Sequence, residues 1–378
     1  MKYRESILLA ALVLVVIYPA FAGYYDDAHT AYSAQNYNEA VNILEEGLQA
    51  APNDEELARF LGQVYFKLRE TDKAEKAFHK TVSLNPDDEI AQYYLGICYT
   101  LRKENDQPKP AWFEASQAFA KAVELNPSDH RYNYQYGHAL LMLRKFQQAK
   151  APLEVAYATE EGRGDYKVVT DLGIVYQALD MNDNAIELFE KAIGLNPEKH
   201  APYQYLGGLY MAARNFDKVK DLGEKLIQLQ PEDGKGYSYR GYGQLMAKEY
   251  RAAEETFTRA IALDGSDPNL FYQRGLAREG MIGTNASSYK SLVDDYAKAI
   301  STSTTAAPAE WHFRLGHAYE LEATLYWDRA FRHPESRTNC LHNLRKAKQE
   351  YEAAGDNADA KNQLGTVNER IRQLEVIQ

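Results

Sequence analysis

Cysteine is scarce. The 378 residues hold two, Cys98 and Cys340, too few for the disulfide framework that small exported proteins depend on. Basic charge is short as well: 43 Lys and Arg stand against 54 Asp and Glu, a formal net charge of -11. No Lys/Arg cluster stands clear of neighbouring acids, so the basic stripe that displaces counterions from a phosphate backbone is missing and nucleic acid is excluded as a partner. The nine histidines include no helix-face pair at i, i+4 with an acidic partner in zinc-ligand spacing; His312 and His317, five apart, splay. There is no G-x-S-x-G elbow and no phosphate loop, since Gly241-Tyr242-Gly243 falls inside a predicted helix. No catalytic, cofactor-binding or metal-binding residues are therefore expected, and the chain reads as a non-enzyme.

Long apolar runs are absent apart from one at the start. Ile7 to Ile17 is an unbroken run of eleven, preceded by Lys2 and Arg4 and followed by Pro19-Ala20-Phe21-Ala22. A basic start, an apolar stretch and a small-x-small site read as a secretory signal peptide over residues 1–22, cleaved ahead of Gly23 and suited to a bacterial periplasm. The run is short of the ~20 residues that span a bilayer. A retained membrane anchor through residues 1–22 is the alternative.

A ladder of small residues is what the chain does have. Ala28, Gly62, Gly96, Gly137, Gly173, Gly207, Gly241, Gly275 and Gly316 follow one another at steps of 34, 34, 41, 36, 34, 34, 34 and 41 residues. The fifth unit is the most regular: Leu172-Gly173 and Tyr176 share one face of a first helix, and Ala185, Phe189 and Ala192 share one face of a second. The missing side chain at Gly173 and the alanine methyls are read as letting two backbones approach closely. Prolines at Pro52, Pro86, Pro127, Pro197 and Pro231 stop the second helix of their units. Glycine inside a helix costs ~1 kcal/mol relative to alanine, so its recurrence points to packing. The sixth unit departs at Val219 and Gly223, where alanine and an aromatic are expected. Enlarged loops are placed at 102–111 and 280–288, and Glu160 to Gly164 reads as a looser link.

A 34-residue period carrying Leu-Gly-x2-Tyr, then Ala-x3-Phe, then Pro, resembles the tetratricopeptide repeat (TPR) family. The resemblance implies an all-α chain: a right-handed α-α superhelical solenoid of about nine helix pairs plus a C-terminal capping helix. The predicted units are 23–54, 55–88, 89–129, 130–165, 166–199, 200–233, 234–267, 268–307 and 308–355, with a cap over 356–378. Cys98 then reads as a small core residue, whereas Cys340 is left open between core and accessible. The family resemblance further implies that first helices line a concave groove that takes peptide segments, but it supplies no reaction.

Positions three before and one, four and five after each rung give the groove contacts. The candidates are Tyr25, Tyr32, Phe66, Tyr93, Tyr134, His138, Met142, Met211, Tyr242, Met246, Tyr272 and Phe313. Of these, Tyr25, Tyr32, Tyr93, Tyr134, Tyr242 and Tyr272 have no core duty in the frame. This aromatic and methionine-bearing set has few lysines or arginines, and the Lys/Asn clamp that some family members use for a C-terminal carboxylate has no match. The expected function is a scaffold that holds a protein or peptide segment for assembly in the cell envelope. A glycan-handling accessory of polysaccharide export is the alternative, because tyrosine also stacks on sugar rings.

Overall fold

The computed structural model describes residues 23–104, 107–282 and 288–377. The expected signal peptide and most of the 280–288 loop lie outside them. Two compact units divide the chain, one ending at Asn196 and the other starting at Pro197.

In the first unit, α1 (residues 23–33) precedes α2 (Tyr37–Ala50), and the pairs α3 (Glu55–Lys67) with α4 (Thr71–Leu84), α5 (Glu89–Thr100) with α6 (Trp112–Leu125), and α7 (His130–Met142) with α8 (Phe146–Ala158) follow. A one-turn α9 (Glu160–Gly164) leads to α10 (Tyr166–Ala178) and α11 (Asn182–Leu195). The second unit pairs α12 (Ala201–Ala212) with α13 (Phe216–Leu229), α14 (Gly234–Met246) with α15 (Tyr250–Leu263), α16 (Pro268–Glu279) with α17 (Ser288–Thr302), and α18 (Ala309–Ala330) with α19 (Pro334–Ala353); α20 (Ala358–Glu375) packs on α18 and α19. This is the all-α order of nine helix pairs and a closing helix that the ladder predicts. Among the described residues, strand is confined to β1 (Lys103–Glu104) and β2 (Gln107–Pro108), an antiparallel pair inside the enlarged loop.

Local chemistry sets the helix ends. Asp54, Asp88, Asp129, Asp165, Asp233 and Asp267 each cap a first helix by accepting a backbone N–H within its first turn, worth ~1 kcal/mol apiece. The turns inside the pairs reverse the chain through Gln35, Arg69, Arg144, Asp180, Arg214 and Lys248, all at φ between 55° and 64°. The link after α8, expected to be loose, is instead a helical turn. Thr159 Oγ1 accepts the Gly162 N–H at 3.0 Å, and Gly162 lies so close to the Ala156 carbonyl that only glycine fits.

Most of the glycine rungs do meet the second helices, but through rings rather than bare backbone; Gly137 meets Leu153 instead. A Cβ at Gly62, Gly173 or Gly241 would fall 2.7 to 2.8 Å from the ring of Phe78, Phe189 or Phe257. These phenylalanines, with the frame alanines beside them, are fully buried. Burial of side chains this size contributes ~1.5 to 3 kcal/mol each.

The sixth unit solves the same problem differently. Gly223 stands where a ring is expected, and the Gly207 hollow is filled by Tyr239 from α14, into whose ring a Cβ there would run. The Tyr239 hydroxyl donates to the Gln204 carbonyl at 3.0 Å. With no ring between them, α13 and α14 come together along Gly223, Gly236 and Gly243: a Cβ at Gly223 would lie 2.7 Å from the Gly236 carbonyl oxygen. Here the backbones do approach closely.

Cys98 and Cys340 are both free and fully buried. Cys340 is covered because α18 runs on past its usual length, and its Sγ rests 3.5 Å from the Ala323 carbonyl.

Candidate functional site

The candidate aromatics lie on the first helices, and most are half-buried against the next first helix of their unit. Tyr25 and Tyr32 hold Phe60 of α3 between them, at ring separations of 5.2 and 5.6 Å. Phe66 meets Tyr94 of α5 at 5.2 Å, and Tyr93 meets Tyr132 of α7 at 4.9 Å. In the second unit Tyr272 stacks on Trp311 of α18 at 5.2 Å. Tyr242 packs edge-on to Phe216 at 6.0 Å, and Phe313 lies 5.9 Å from Tyr351. The tyrosines read as having no core duty therefore have one: they close the seams around successive helices. Burial pushes the Tyr93 and Tyr272 phenols above their ordinary pKa, so both stay neutral and act as apolar rings with a polar edge. Met211 is half-buried, whereas Met142 and Met246 are exposed, by 47% and 37%.

Two polar centres punctuate these faces, one in each unit. In the first, His138 Nδ1 lies 2.7 Å from the buried Asp171 carboxylate. A carboxylate accepts, so Nδ1 carries the proton. Tyr134 packs 5.8 Å from the imidazole and Trp112 closes its edge at 5.5 Å. Burial, followed by the fields of Asp171 and Asp165, raises the Tyr134 phenol far above its ordinary pKa. In the second centre, Glu279 accepts from the Tyr296 hydroxyl at 2.5 Å and from Arg314 at 2.9 Å, with His317 at 3.7 Å. Burial pushes the Glu279 carboxyl up, but the nearby His317, the hydrogen bond from Tyr296 and the charge of Arg314 outweigh it and hold the group below the usual carboxylate range.

Among the described residues neither centre sets a hydroxyl or thiol against its histidine. Nor do the described residues bring together three His, Cys, Asp or Glu side chains that could hold a metal. Among them no helix is long and apolar enough to cross a membrane.

Residues 31–96 and 166–199 match the tetratricopeptide repeat family. The chain carries tetratricopeptide repeats. No curated protein matches it. Similar solved structures include YrrB, described as a TPR protein with an unusual peptide-binding site, at 20% identity over 51% of this chain and 95% of that one, with a TM-score of 0.46. They also include MamA, at 21% identity over 47% and 93% with a TM-score of 0.40. MamA from Desulfovibrio magneticus RS-1 gives 22% over 47% and 93%, also at 0.40.

Two features of this TPR array are missed by reading the frame alone. Arg240 and Arg274 stand directly before Gly241 and Gly275, where Leu61, Leu95, Leu172, Leu206 and Leu315 occupy the same place. Arg274 makes a forked pair with Asp295, which is 1% exposed, and Arg278 reaches the same carboxylate at 2.8 Å while its Nε holds Glu254. A shallow cavity of about 670 Å³ opens over this network. The signal was an arginine at an apolar position with an aspartate one residue before Tyr296. The second feature is Trp112 and Phe113 at the start of α6, the latter 54% exposed.

Proposed function

We propose that this TPR protein holds a partner's polypeptide segment against its first helices, as an assembly scaffold in a bacterial cell envelope. The observation that carries the reading is the exposure of Met142 and Met246. Both sit five residues after their glycine rung at the end of a first helix. Methionine is flexible and polarisable and suits surfaces that take up another chain. The TPR repeats support the scaffold role, and the basic-apolar-small order of residues 1–22 supports export. The glycan alternative relied on tyrosines free to stack on sugars; with Tyr93 and Tyr272 laid against neighbouring rings, no observation favours it.

The test is photo-crosslinking in cells. Benzoylphenylalanine at Met142 and at Met246 should yield discrete adducts in the envelope fraction. The same probe at Leu195, exposed on a second helix, should yield none. Equal labelling from Leu195, or no adducts at either methionine, refutes the reading.

A further inference from the structure

We infer that the start of α6 in the third repeat, with the end of α7, forms a ledge for a partner segment in which apolar side chains are followed by carboxylates. The inference rests on the scaffold reading above and names the partner's chemistry at one part of that face. Phe113 is the observation that starts it. It is the second residue of its second helix, and the same place holds Asn38, Asp72, Gln147, Asp183, Asp217 and Arg251 in the first, second and fourth to seventh repeats. A polar position in those six repeats is a phenylalanine here, and it is 54% exposed.

The described residues of the loop that precedes it are tied together by backbone hydrogen bonds. Lys109 N–H donates to the Arg102 carbonyl at 2.8 Å, Ala111 N–H to the Tyr99 carbonyl at 2.9 Å, and β1 pairs with β2. This fixes where α6 begins, and so where Trp112 and Phe113 stand. Trp112 rests its edge against His138, whose ring is held by Asp171. Met142 follows His138 by one turn on α7, 47% exposed. Lys145, three residues further, places its ammonium 5.7 Å from the Phe113 ring centroid. Phe113 and Met142 thus leave apolar surface exposed near the same ends of α6 and α7, with the Lys145 ammonium over the Phe113 ring.

Charge says what fits beside it. Arg144 is exposed in the turn at φ 58° and has no ion-pair partner among the described residues, and Lys145 points its charge over the Phe113 ring. The next residue on α6, the exposed Glu114, lies near enough to Tyr99 and Arg102 for its field to act on both. In a chain with 54 acids against 43 bases, an acidic partner is repelled over much of the surface, so a cationic rim beside exposed apolar surface selects both site and register.

The test uses the purified protein and fluorescein-labelled synthetic peptides read by anisotropy. One peptide carries a Leu-Phe pair followed by several acidic residues; a second replaces the acids by lysine, and a third replaces Leu-Phe by serine. The acidic-apolar peptide should bind at least tenfold more tightly than either control. Phe113→Ser should weaken it at least tenfold with an unchanged melting profile, which is expected because the ring is exposed. Arg144→Glu with Lys145→Glu should weaken it several-fold and abolish its loss of affinity in high salt. Equal binding of the lysine peptide, no binding of the acidic-apolar peptide, or indifference to Phe113→Ser overturns the inference. Those results leave the scaffold reading standing if Met142 and Met246 still crosslink in cells; loss of the crosslinks removes both.

Discussion

The contact of α13 with α14 offers the sharpest test of the packing. An added methyl at Gly223 would meet backbone, the Gly236 carbonyl oxygen at 2.7 Å and Arg240 Cα at 2.9 Å, and backbone cannot swing aside as a side chain can. Gly208, on the same array but with nothing within 4 Å of its added Cβ, is the matched control. Gly208→Ala should stabilise by ~0.5 to 1 kcal/mol, the usual gain for alanine over glycine in an open helix position. Gly223→Ala receives the same propensity gain but must force two helices apart, an overpacking cost of ~1 to 3 kcal/mol or more. The two variants should therefore differ by ~2 kcal/mol, about 4 to 8 °C in melting midpoint for a unit of this size. A second arm tests the ring exchange. Gly207→Ala clashes with the Tyr239 ring, so in a Tyr239→Ala background the clash disappears and the substitution becomes tolerated. The double-mutant cycle should show a favourable coupling of ~1 kcal/mol or more. Thermal and denaturant midpoints by circular dichroism read both arms. If Gly223→Ala is as stable as Gly208→Ala, the close approach is wrong; if the cycle is additive, Tyr239 does not fill Gly207.

Three further outcomes follow from the same geometry. Asp295→Ala leaves Arg274 and Arg278 without their buried carboxylate and should cost ~3 kcal/mol or more; Arg274→Leu with Asp295→Leu, which copies Leu172 and Leu188 of the fifth repeat, should recover most of it in chemical denaturation. Glu279 has a folded pKa below its unfolded value, so its contribution to stability is present above the unfolded pKa of ~4.3 and is lost as pH falls through the folded one. The melting midpoint should therefore drop on acidification below about pH 4, and Glu279→Gln should flatten that limb; an unchanged limb contradicts the role. Burial pushes the Cys98 thiol up to about 12 and the Cys340 thiol up to about 11, so neither should react with a thiol reagent at pH 8 until the chain is unfolded, when both should. Rapid labelling of native Cys340 would show that α18 does not cover it.

The array was legible because many independent positions repeat: a glycine, a tyrosine three later, an alanine and an aromatic on the partner helix. Such a pattern fixes which faces meet without fixing which atom fills which hollow. Gly223 was visible as a departure, but its compensation lies at Tyr239, in the next repeat, and nothing in a tyrosine says which way its ring turns. Arg274 and Asp295 are 21 residues apart and look like two solvated charges until α16 and α17 pair. The duty of the candidate tyrosines is not legible in the sequence, because a half-buried ring with a polar edge satisfies a seam and a groove equally well. Phe113 was hidden by the inserted loop, which shifts it seven places from the frame and conceals that it occupies a polar position.

These departures are not alike, and the difference bears on function. In a repeat array each side chain has its neighbours supplied by the frame, so a substitution must either be answered from within or be left unanswered. Gly223 is answered by Tyr239, and Arg274 by Asp295; each exchange restores a filled hollow or a neutral pair inside its own unit. Such changes alter how the array is held together and ask for nothing outside it. Phe113 and Met142 are unanswered: their apolar area stays exposed, at ~25 cal/mol for each Å² left in water. Exposed apolar residues standing singly need no explanation, but Phe113 is in register with six polar residues and has the Lys145 ammonium beside it. A surface that carries this cost at one place in the array, where the frame offers asparagine, glutamine or aspartate elsewhere, is the place to look for the partner.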